Sequence, residues 1–276
     1  MDSRRMCPHC RAFITDKDRI CPYCNEKVGA RAIDRRDPGS LLGGLIPHAR
    51  FATTLLLTVN VGMYLLTVIY SMRSGNSSAF MNIDVRTLVY FGAIFPPALR
   101  LGQWWRLVTA GYLHGGLLHI GMNMWVLTMV SAQVEELYGA ARMFVFYAIA
   151  SVCGFYASSV IVGTVSVGAS AGLTGLIGVM IAFGIHHRSA IGDAIKKQYL
   201  IWVGYILVSG FIISGVDNAA HVGGLVSGFA LAYLTGAPGY RDAAWATFWK
   251  AAAVICILGT AFCFYEMYLS FSSFTQ

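Results

Sequence analysis

Long apolar stretches separated by short polar ones dominate the chain after residue 50. Residues 51–72 contain no Asp, Glu, Lys or Arg. A helix needs about 20 apolar residues to cross the hydrocarbon core of a bilayer, so this stretch predicts a membrane span. Residues 143–187 also lack charged side chains and are long enough for two helices, with a Gly-containing turn at 163–168. The pattern therefore predicts seven spans: Phe51–Met72, Leu117–Gln133, two within Met143–His187, Gln198–Ile213, Ala219–Leu234 and Thr247–Ser270.

The composition agrees with a membrane protein. Of the 276 residues, 57% are hydrophobic and 12% are charged, whereas soluble domains carry about 25% charged residues. This excludes a soluble enzyme and a disordered chain. Nucleic-acid binding is also excluded despite the net charge of +7, because ten of the 20 Lys and Arg precede residue 51. We expect an all-α, polytopic bundle of transmembrane helices in a lipid bilayer.

The distribution of basic residues predicts the orientation. A basic N-terminal segment stays cytoplasmic under the positive-inside rule, so seven spans place the C-terminus outside. The long segment after the first span, residues 73–106, opposes the rule with four arginines. This segment is too polar to span, and its aromatic residues predict that it rests in the membrane interface. The size and the N-terminal cysteine pairs suggest a prokaryotic inner membrane.

Four cysteines lie in the polar N-terminal region, as two C-x-x-C pairs separated by ten residues. Such pairs form tight knuckles that close a tetrahedral thiolate site. A reducing cytoplasm disfavours two disulfides, and an iron site or free redox thiols remain as alternatives to zinc. We expect residues 1–30 to be a zinc-ribbon-like segment, residues 31–50 a basic linker and residues 51–276 the membrane domain. The expected structural-zinc ligands are Cys7, Cys10, Cys21 and Cys24.

Polar residues inside spans are costly and often functional. With a cytoplasmic N-terminus, spans two, four and six all begin at the outer face, so their first polar residues share one depth. These residues are His114, His119 and Asn123, then Ser170, then His221.

This set fits acyl transfer. Ser170 needs a base to become a nucleophile, and His221 is the candidate. An oxyanion needs donors, which His119, Asn123 and the backbone N–H groups at the start of the fourth span supply. We expect His114 to bond loop backbone and Asp217 to cap the sixth span. A zinc protease is disfavoured because no H-E-x-x-H spacing is present. Glycines in spans four and six favour close packing of these helices.

Taken together, these residues resemble the rhomboid family of intramembrane serine proteases over about residues 51–235. The matching motifs are Trp105-Arg106, His114 with His119 and Asn123, Glu135 with Gly139, Gly168-Ala169-Ser170, and Ala220-His221-Val222-Gly223-Gly224. Ala171 departs from the family's G-x-S-G motif, so its methyl group could crowd the nucleophile, or Gly172 could compensate.

The resemblance implies a six-helix core, with the seventh span matching variants that add one helix. It implies a serine endopeptidase with nucleophile Ser170, and oxyanion roles for His119 and Asn123, with no cofactor for catalysis. The implied substrates are single-span membrane proteins, cut near the outer face at a small residue. The zinc-ribbon-like segment resembles accessory domains and suggests a cytoplasmic partner. The competing hypotheses are a catalytically inactive rhomboid-like protein that binds transmembrane helices, and a transporter or channel, which the lack of repeated halves disfavours.

Overall fold

The computed structural model describes residues 4–7, 10, 12–15, 18–26, 28, 50–213, 215–237 and 243–275. The contacts of the chain divide it into two units, residues 1–48 and 49–276. The predicted linker lies almost wholly outside the described residues. The second unit holds α1 (Phe51–Arg73), α2 (Val85–Tyr90), α3 (Pro96–Arg100), α4 (Arg106–Thr109), α5 (Leu117–Val126), α6 (Ala132–Tyr138), α7 (Ala140–Ile161), α8 (Ser170–His186), α9 (Ala190–Ile212), α10 (Asn218–Thr235) and α11 (Ala243–Thr275).

The N-terminal unit contains a small antiparallel hairpin, β1 (Arg4–Met6) and β2 (Phe13–Thr15), with Met6 opposite Phe13. All four cysteine Sγ atoms lie within 4.8 Å of one another. The separations are 3.8 Å between Cys7 and Cys24 and 3.6 Å between Cys10 and Cys21. Tetrahedral zinc with bonds near 2.3 Å separates its sulfurs by about 3.8 Å, so this cluster fits such an ion.

The buried helix α8 is the centre of the second unit. Every residue from 171 to 184 is buried, as expected for a helix that is apolar on all sides. Helices α7, α9 and α10 pack around α8. The last helix, α11, packs against α7 and α4, with ring contacts such as Phe264 on Tyr112 and Trp249 on Phe146.

The prediction of an all-α helical bundle is confirmed for this unit. Among the described residues, four helices have the length and composition to cross a membrane: Phe51–Arg73, Leu117–Tyr138, Ala140–Ile161 and Trp245–Ser272. These comprise α1, the continuous helix formed by α5 and α6, α7, and most of α11. Helix α8 is apolar but has 17 residues. The chain is therefore a multi-pass membrane protein. That α8, α9 and α10 also cross the membrane stays a prediction.

Two helices extend beyond the predicted spans. The predicted fifth span begins at about Gln198, whereas α9 begins at Ala190, where the Ser189 hydroxyl accepts from Gly192 N–H. This capped turn extends the helix beyond its apolar part. The second span was expected to end at Gln133, but the helix continues to Tyr138 and ends at Gly139, whose φ is +81°.

The reason for the second difference is the side chain of Glu135, which turns inward and caps another helix. Its carboxylate accepts from Ala52 N–H at 2.9 Å, Thr53 N–H at 2.8 Å and the Thr53 hydroxyl at 2.7 Å. These contacts satisfy backbone donors at the start of α1 that no intrahelical carbonyl can reach. Glu135 therefore ties the second long helix to the first.

The segment between α1 and α5 is organised around Arg106, which is 2% exposed. Its Nη1 donates to the carbonyls of Val89 and Ala93 at 2.7 and 2.9 Å, and its Nε donates to Gln103 Oε1 at 2.7 Å. Burial lowers the pKa of Arg106 to about 10, which leaves it charged at neutral pH. Arg106 is one of the four arginines that oppose the positive-inside rule. Its side chain thus points into the protein and donates hydrogen bonds that hold this segment together.

Candidate active site

The hydroxyl of Ser170 and the ring of His221 meet at the starts of two neighbouring helices. Ser170 is the first residue of α8, and His221 lies in the first turn of α10. The distance from His221 Nε2 to Ser170 Oγ is 2.9 Å. The structure therefore brings together two side chains that are 51 positions apart in the sequence.

Glycines permit this approach by letting the backbones of α8 and α10 touch. A Cβ on Gly224 would lie 2.0 Å from the Ala171 carbonyl oxygen, and one on Gly228 would lie 2.2 Å from the Gly175 carbonyl oxygen. Real Cβ atoms do not approach this closely, so any larger residue would push the helices apart. The expected close packing of these helices is thus present, and it fixes the distance between the serine and the histidine.

The methyl group of Ala171 lies against Gly154 of α7. Ala171 is fully buried and packs with Phe155 and Ala220. Its Cβ is 2.9 Å from the position that a Cβ on Gly154 of α7 would occupy. The missing side chain of Gly154 therefore makes room for the methyl group of Ala171. Gly172 instead faces the ring of Tyr147.

His119 borders the space beside Ser170. The backbone N–H of Gly115 donates to His119 Nδ1 at 3.3 Å, which assigns the proton of a neutral ring to Nε2. That Nε2 is 2.7 Å from the point where a Cβ on Gly168 would lie, and Ser170 Oγ is 3.6 Å from the same point. Gly168 has a φ of +129°, so it supplies both the backbone bend and the open space between the two side chains.

Asn123 lies one turn beyond His119 on the same face of α5. It is 6% exposed, and its Nδ2 donates to the His119 carbonyl at 2.9 Å. A carboxamide carries two N–H donors, so one remains for a ligand. Immediately after α5 comes a π-helical turn, Leu127–Ser131. Such turns often occur at functional sites, and nothing in the sequence pattern indicated this one.

The expectation for His114 is wrong. Within the described part of the chain, neither ring nitrogen of His114 has a hydrogen-bond partner, so it does not bond loop backbone. The side chain is completely buried and its ring packs edge-on against His119 at 5.1 Å. His114 therefore supports the position of His119 by packing.

Asp217 caps α10, as expected. Its Oδ1 accepts from Ala220 N–H at 3.0 Å, and its Oδ2 bonds to the Ser158 hydroxyl. Among the described residues, His221 Nδ1 has no hydrogen-bond partner. The described site is therefore a serine–histidine pair with no carboxylate bonded to the histidine.

A cleft of about 580 Å³ opens beside this pair. Ser170, His221, His119 and Asn123 all line it, and apolar side chains of α5, α8 and α9 contribute to its remaining wall. The predicted site residues thus converge on one cavity. Sequence reasoning missed Gly154 and Tyr147, which shape the packing behind the serine, because a small or aromatic residue inside an apolar helix carries no distinctive signal.

The comparisons with known proteins agree with this geometry. The Rhomboid domain model matches residues 101–238, which is half of the chain and includes all four residues of the cleft. The chain belongs to the rhomboid family. Among similar proteins, Rhomboid protease GluP of Bacillus subtilis (strain 168) is 31% identical over 185 residues, 67% of this chain and 36% of GluP.

Two further rhomboid relatives have similar identity. Rhomboid-like protease 2 of Toxoplasma gondii is 35% identical over 153 residues, 52% of this chain and 52% of the relative. Putative rhomboid protease YdcA of Bacillus subtilis (strain 168) is 31% identical over 135 residues, 48% of this chain and 68% of YdcA. The match thus spans about a third of GluP and half of the Toxoplasma relative.

The contact between α8 and α10 yields the first prediction. Gly224→Ala places a methyl group against the Ala171 carbonyl, so the helices separate and the serine and histidine lose their alignment. We expect a lower thermal midpoint and a fall of roughly 10²-fold in the rate of fluorophosphonate labelling. The control is Gly62→Ala in α1, where nothing lies within 4 Å of the new methyl. Equal midpoints and labelling rates for the two variants would show that the close contact does not set the site.

Proposed function

We propose that this protein is an intramembrane serine endopeptidase that cleaves transmembrane helices of single-span membrane proteins near the outer face. The observation that carries the proposal is the 2.9 Å contact between Ser170 Oγ and His221 Nε2 inside the cleft. The rhomboid family supports the same class of reaction. In this class a neutral histidine acts as a general base and converts a serine hydroxyl into a nucleophile.

The proposed reaction proceeds in two halves. His221 Nε2 takes the proton of Ser170 as Oγ attacks the scissile carbonyl carbon, and a tetrahedral oxyanion forms. His221 then gives this proton to the leaving amine, and the C–N bond breaks to leave an acyl-enzyme. A water molecule, deprotonated by His221, releases the acyl group and restores the serine. The packing of α8 against α10 holds the pair in place, since no carboxylate among the described residues orients the ring.

The oxyanion is proposed to lie in the space beside Gly168. His119 Nε2–H borders that space, and Asn123 offers its second N–H from the same helix face. Ser170 itself begins α8, so unpaired backbone N–H groups and the positive end of the helix dipole favour negative charge there. Preorganised donors of this kind supply much of the catalysis in acyl transfer.

Proteolysis requires a locally unwound substrate. The carbonyls of a helix are engaged in hydrogen bonds and its side chains shield the backbone, so the segment must open before Ser170 can attack. Gly or Pro weakens a helix by about 1 to 3 kcal/mol per residue and therefore favours opening. A small residue before the cut suits a nucleophile flanked by closely packed helices.

Alanine substitutions of the site residues test the catalytic pair. Ser170→Ala and His221→Ala should each abolish cleavage and fluorophosphonate labelling, because the two residues act as one unit. Asn123→Ala should retain activity reduced by roughly 10²–10³-fold, the value of one oxyanion donor. The measurement is the initial rate of cleavage of a single-span substrate by purified protein.

The two controls change a serine on the wall of the cleft and a histidine on α8. Ser209→Ala removes a hydroxyl that lines the cleft but donates to the Ile206 carbonyl, and His186→Ala removes a histidine at the far end of α8. Both should keep their activity. Near-normal cleavage by folded Ser170→Ala would overturn the assignment of Ser170 as the nucleophile. Folded wild-type protein that neither cleaves nor takes up the label would leave a catalytically inactive, helix-binding role as the better account.

The position of the cut is a separate prediction. We expect cleavage after a small residue near the outer end of the substrate span, with faster cutting when Gly or Pro lies further along the span. Mass spectrometry of products from a panel of spans, each paired with a version in which Gly and Pro are replaced by Leu, gives the sites and rates. Cuts near the cytoplasmic end would contradict the proposed orientation, and equal rates within pairs would contradict unwinding.

We also infer that Cys7, Cys10, Cys21 and Cys24 hold one structural zinc ion. Support comes from the sulfur separations, which suit a tetrahedral ion, and from the buried Cys7, Ile14, Cys21 and Val28, which form a core too small to fold unaided. In a closed site of four thiolates the ion has no open position for substrate.

Metal analysis of the full-length protein tests this inference. We expect about one zinc per chain, lost in Cys7→Ser/Cys24→Ser but kept in the control Cys153→Ser, which changes an exposed cysteine of α7. Removal of the ion should leave the initial rate of cleavage unchanged. Stoichiometric iron with a coloured thiolate absorption would replace zinc in this account, and an immediate loss of cleavage in folded protein would show that the ion supports catalysis.

A further inference from the structure

The membrane domain has an apolar groove that shares no lining residue with the serine–histidine cleft. The groove has a volume of about 290 Å³ and is formed by three separate elements. Helix α1 contributes Leu66, Tyr70 and Arg73, the end of α2 contributes Tyr90, and α11 contributes Tyr268 and Phe271. Its walls are almost entirely apolar, with Arg73 among the few charged groups that border it.

Aromatic packing fixes the shape of this groove. The rings of Tyr70, Phe91 and Phe271 contact one another with centroid distances of 5.1 to 5.4 Å. Its rim is open, because Leu66 and Tyr268 are 48% and 63% exposed. Since each of the three rings comes from a different segment, the groove is part of the tertiary structure and requires no rearrangement to receive an apolar chain.

Positive charge is concentrated beside the groove. Arg73 is the first charged residue after 22 uncharged positions of α1, so it marks the level at which that helix leaves the apolar core. Arg86 donates from Nε to the Tyr90 hydroxyl at 2.8 Å, and its guanidinium stands 5.3 Å from the centroid of that ring. Tyr90 lines the groove, so its contact with Arg86 places a second cation beside the groove wall.

Neither cation forms an ion pair with a described carboxylate. Asp84 attracts Arg86 electrostatically, but its oxygens accept hydrogen bonds from the Ser71 hydroxyl and from the N–H and hydroxyl of Thr87, which cap α2. Among the described residues, the guanidinium groups of Arg73 and Arg86 are therefore not held by direct contact with a carboxylate.

We propose that this groove binds one phospholipid with an anionic headgroup. An acyl chain lies along Leu66, Tyr70 and Phe271, and the phosphate is bound by Arg73 and Arg86. Guanidinium groups form paired hydrogen bonds with phosphate oxygens, and a net negative headgroup is favoured over a zwitterionic one beside two cations. The same interaction accounts for arginines on a segment that the positive-inside rule would leave without basic residues.

Native mass spectrometry of the full-length protein tests the proposal. The protein in neutral detergent is titrated with phosphatidylglycerol or with phosphatidylcholine of identical acyl chains. We expect one saturable phosphatidylglycerol to be retained at a concentration about tenfold below that needed for phosphatidylcholine. Arg73→Gln/Arg86→Gln should bring the two lipids to equal retention, while Arg73→Lys should keep most of the preference.

Two further variants distinguish binding of the lipid headgroup from binding of the acyl chain. Arg100→Gln removes a charge from the same segment at an exposed position that does not line the groove, so it should leave the preference intact. Ile69→Trp, which fills the groove, should reduce retention of both lipids. The proposal is overturned if Arg73→Gln and Arg100→Gln behave alike, if wild type retains the two lipids equally, or if a copurifying transmembrane peptide occupies the groove instead.

Discussion

The contact between the backbones of α8 and α10 is the constraint on which the rest of the site depends. Carbonyl oxygens of Ala171 and Gly175 occupy the positions where side chains of Gly224 and Gly228 would otherwise project. The two helices begin together, so the first residue of one and the first turn of the other are held side by side. The 2.9 Å contact between Ser170 and His221 follows from this packing, which takes the orienting role that a buried acid has in many serine hydrolases.

The surrounding elements support that contact in different ways. Gly154 of α7 makes room for Ala171, so a residue that departs from the expected motif is accommodated next to Ser170 in the sequence. Glu135 caps α1 and joins it to the helix that carries His119 and Asn123. Arg106 binds the carbonyls of the preceding segment and holds it against the protein. The buried charged groups of Glu135 and Arg106 thus find their hydrogen-bond partners within the chain, as an apolar solvent requires.

The sequence was sufficient to predict the helices and the convergence of Ser170, His221, His119 and Asn123, because uncharged stretches and costly intramembrane polar residues are strong signals. It failed where tertiary contacts override local pattern. Glu135 reads as the polar end of a span, yet it is buried because α1 supplies donors. His114 reads as a hydrogen-bonding residue, yet it packs against His119. The π-helical turn after Asn123 and the room beside Gly154 depend on neighbours that no single segment reveals.

The most direct measurement for the central claim is an experimental structure of the full chain reacted with a fluorophosphonate. Attack by Ser170 expels fluoride and leaves a phosphonyl group whose P=O oxygen stands in for the oxyanion. The account predicts a bond from phosphorus to Ser170 Oγ alone, with that oxygen directed toward His119 Nε2 and Asn123 Nδ2 and with His221 still beside the serine. Attachment to any other residue, or an oxygen directed away from both donors, would contradict it.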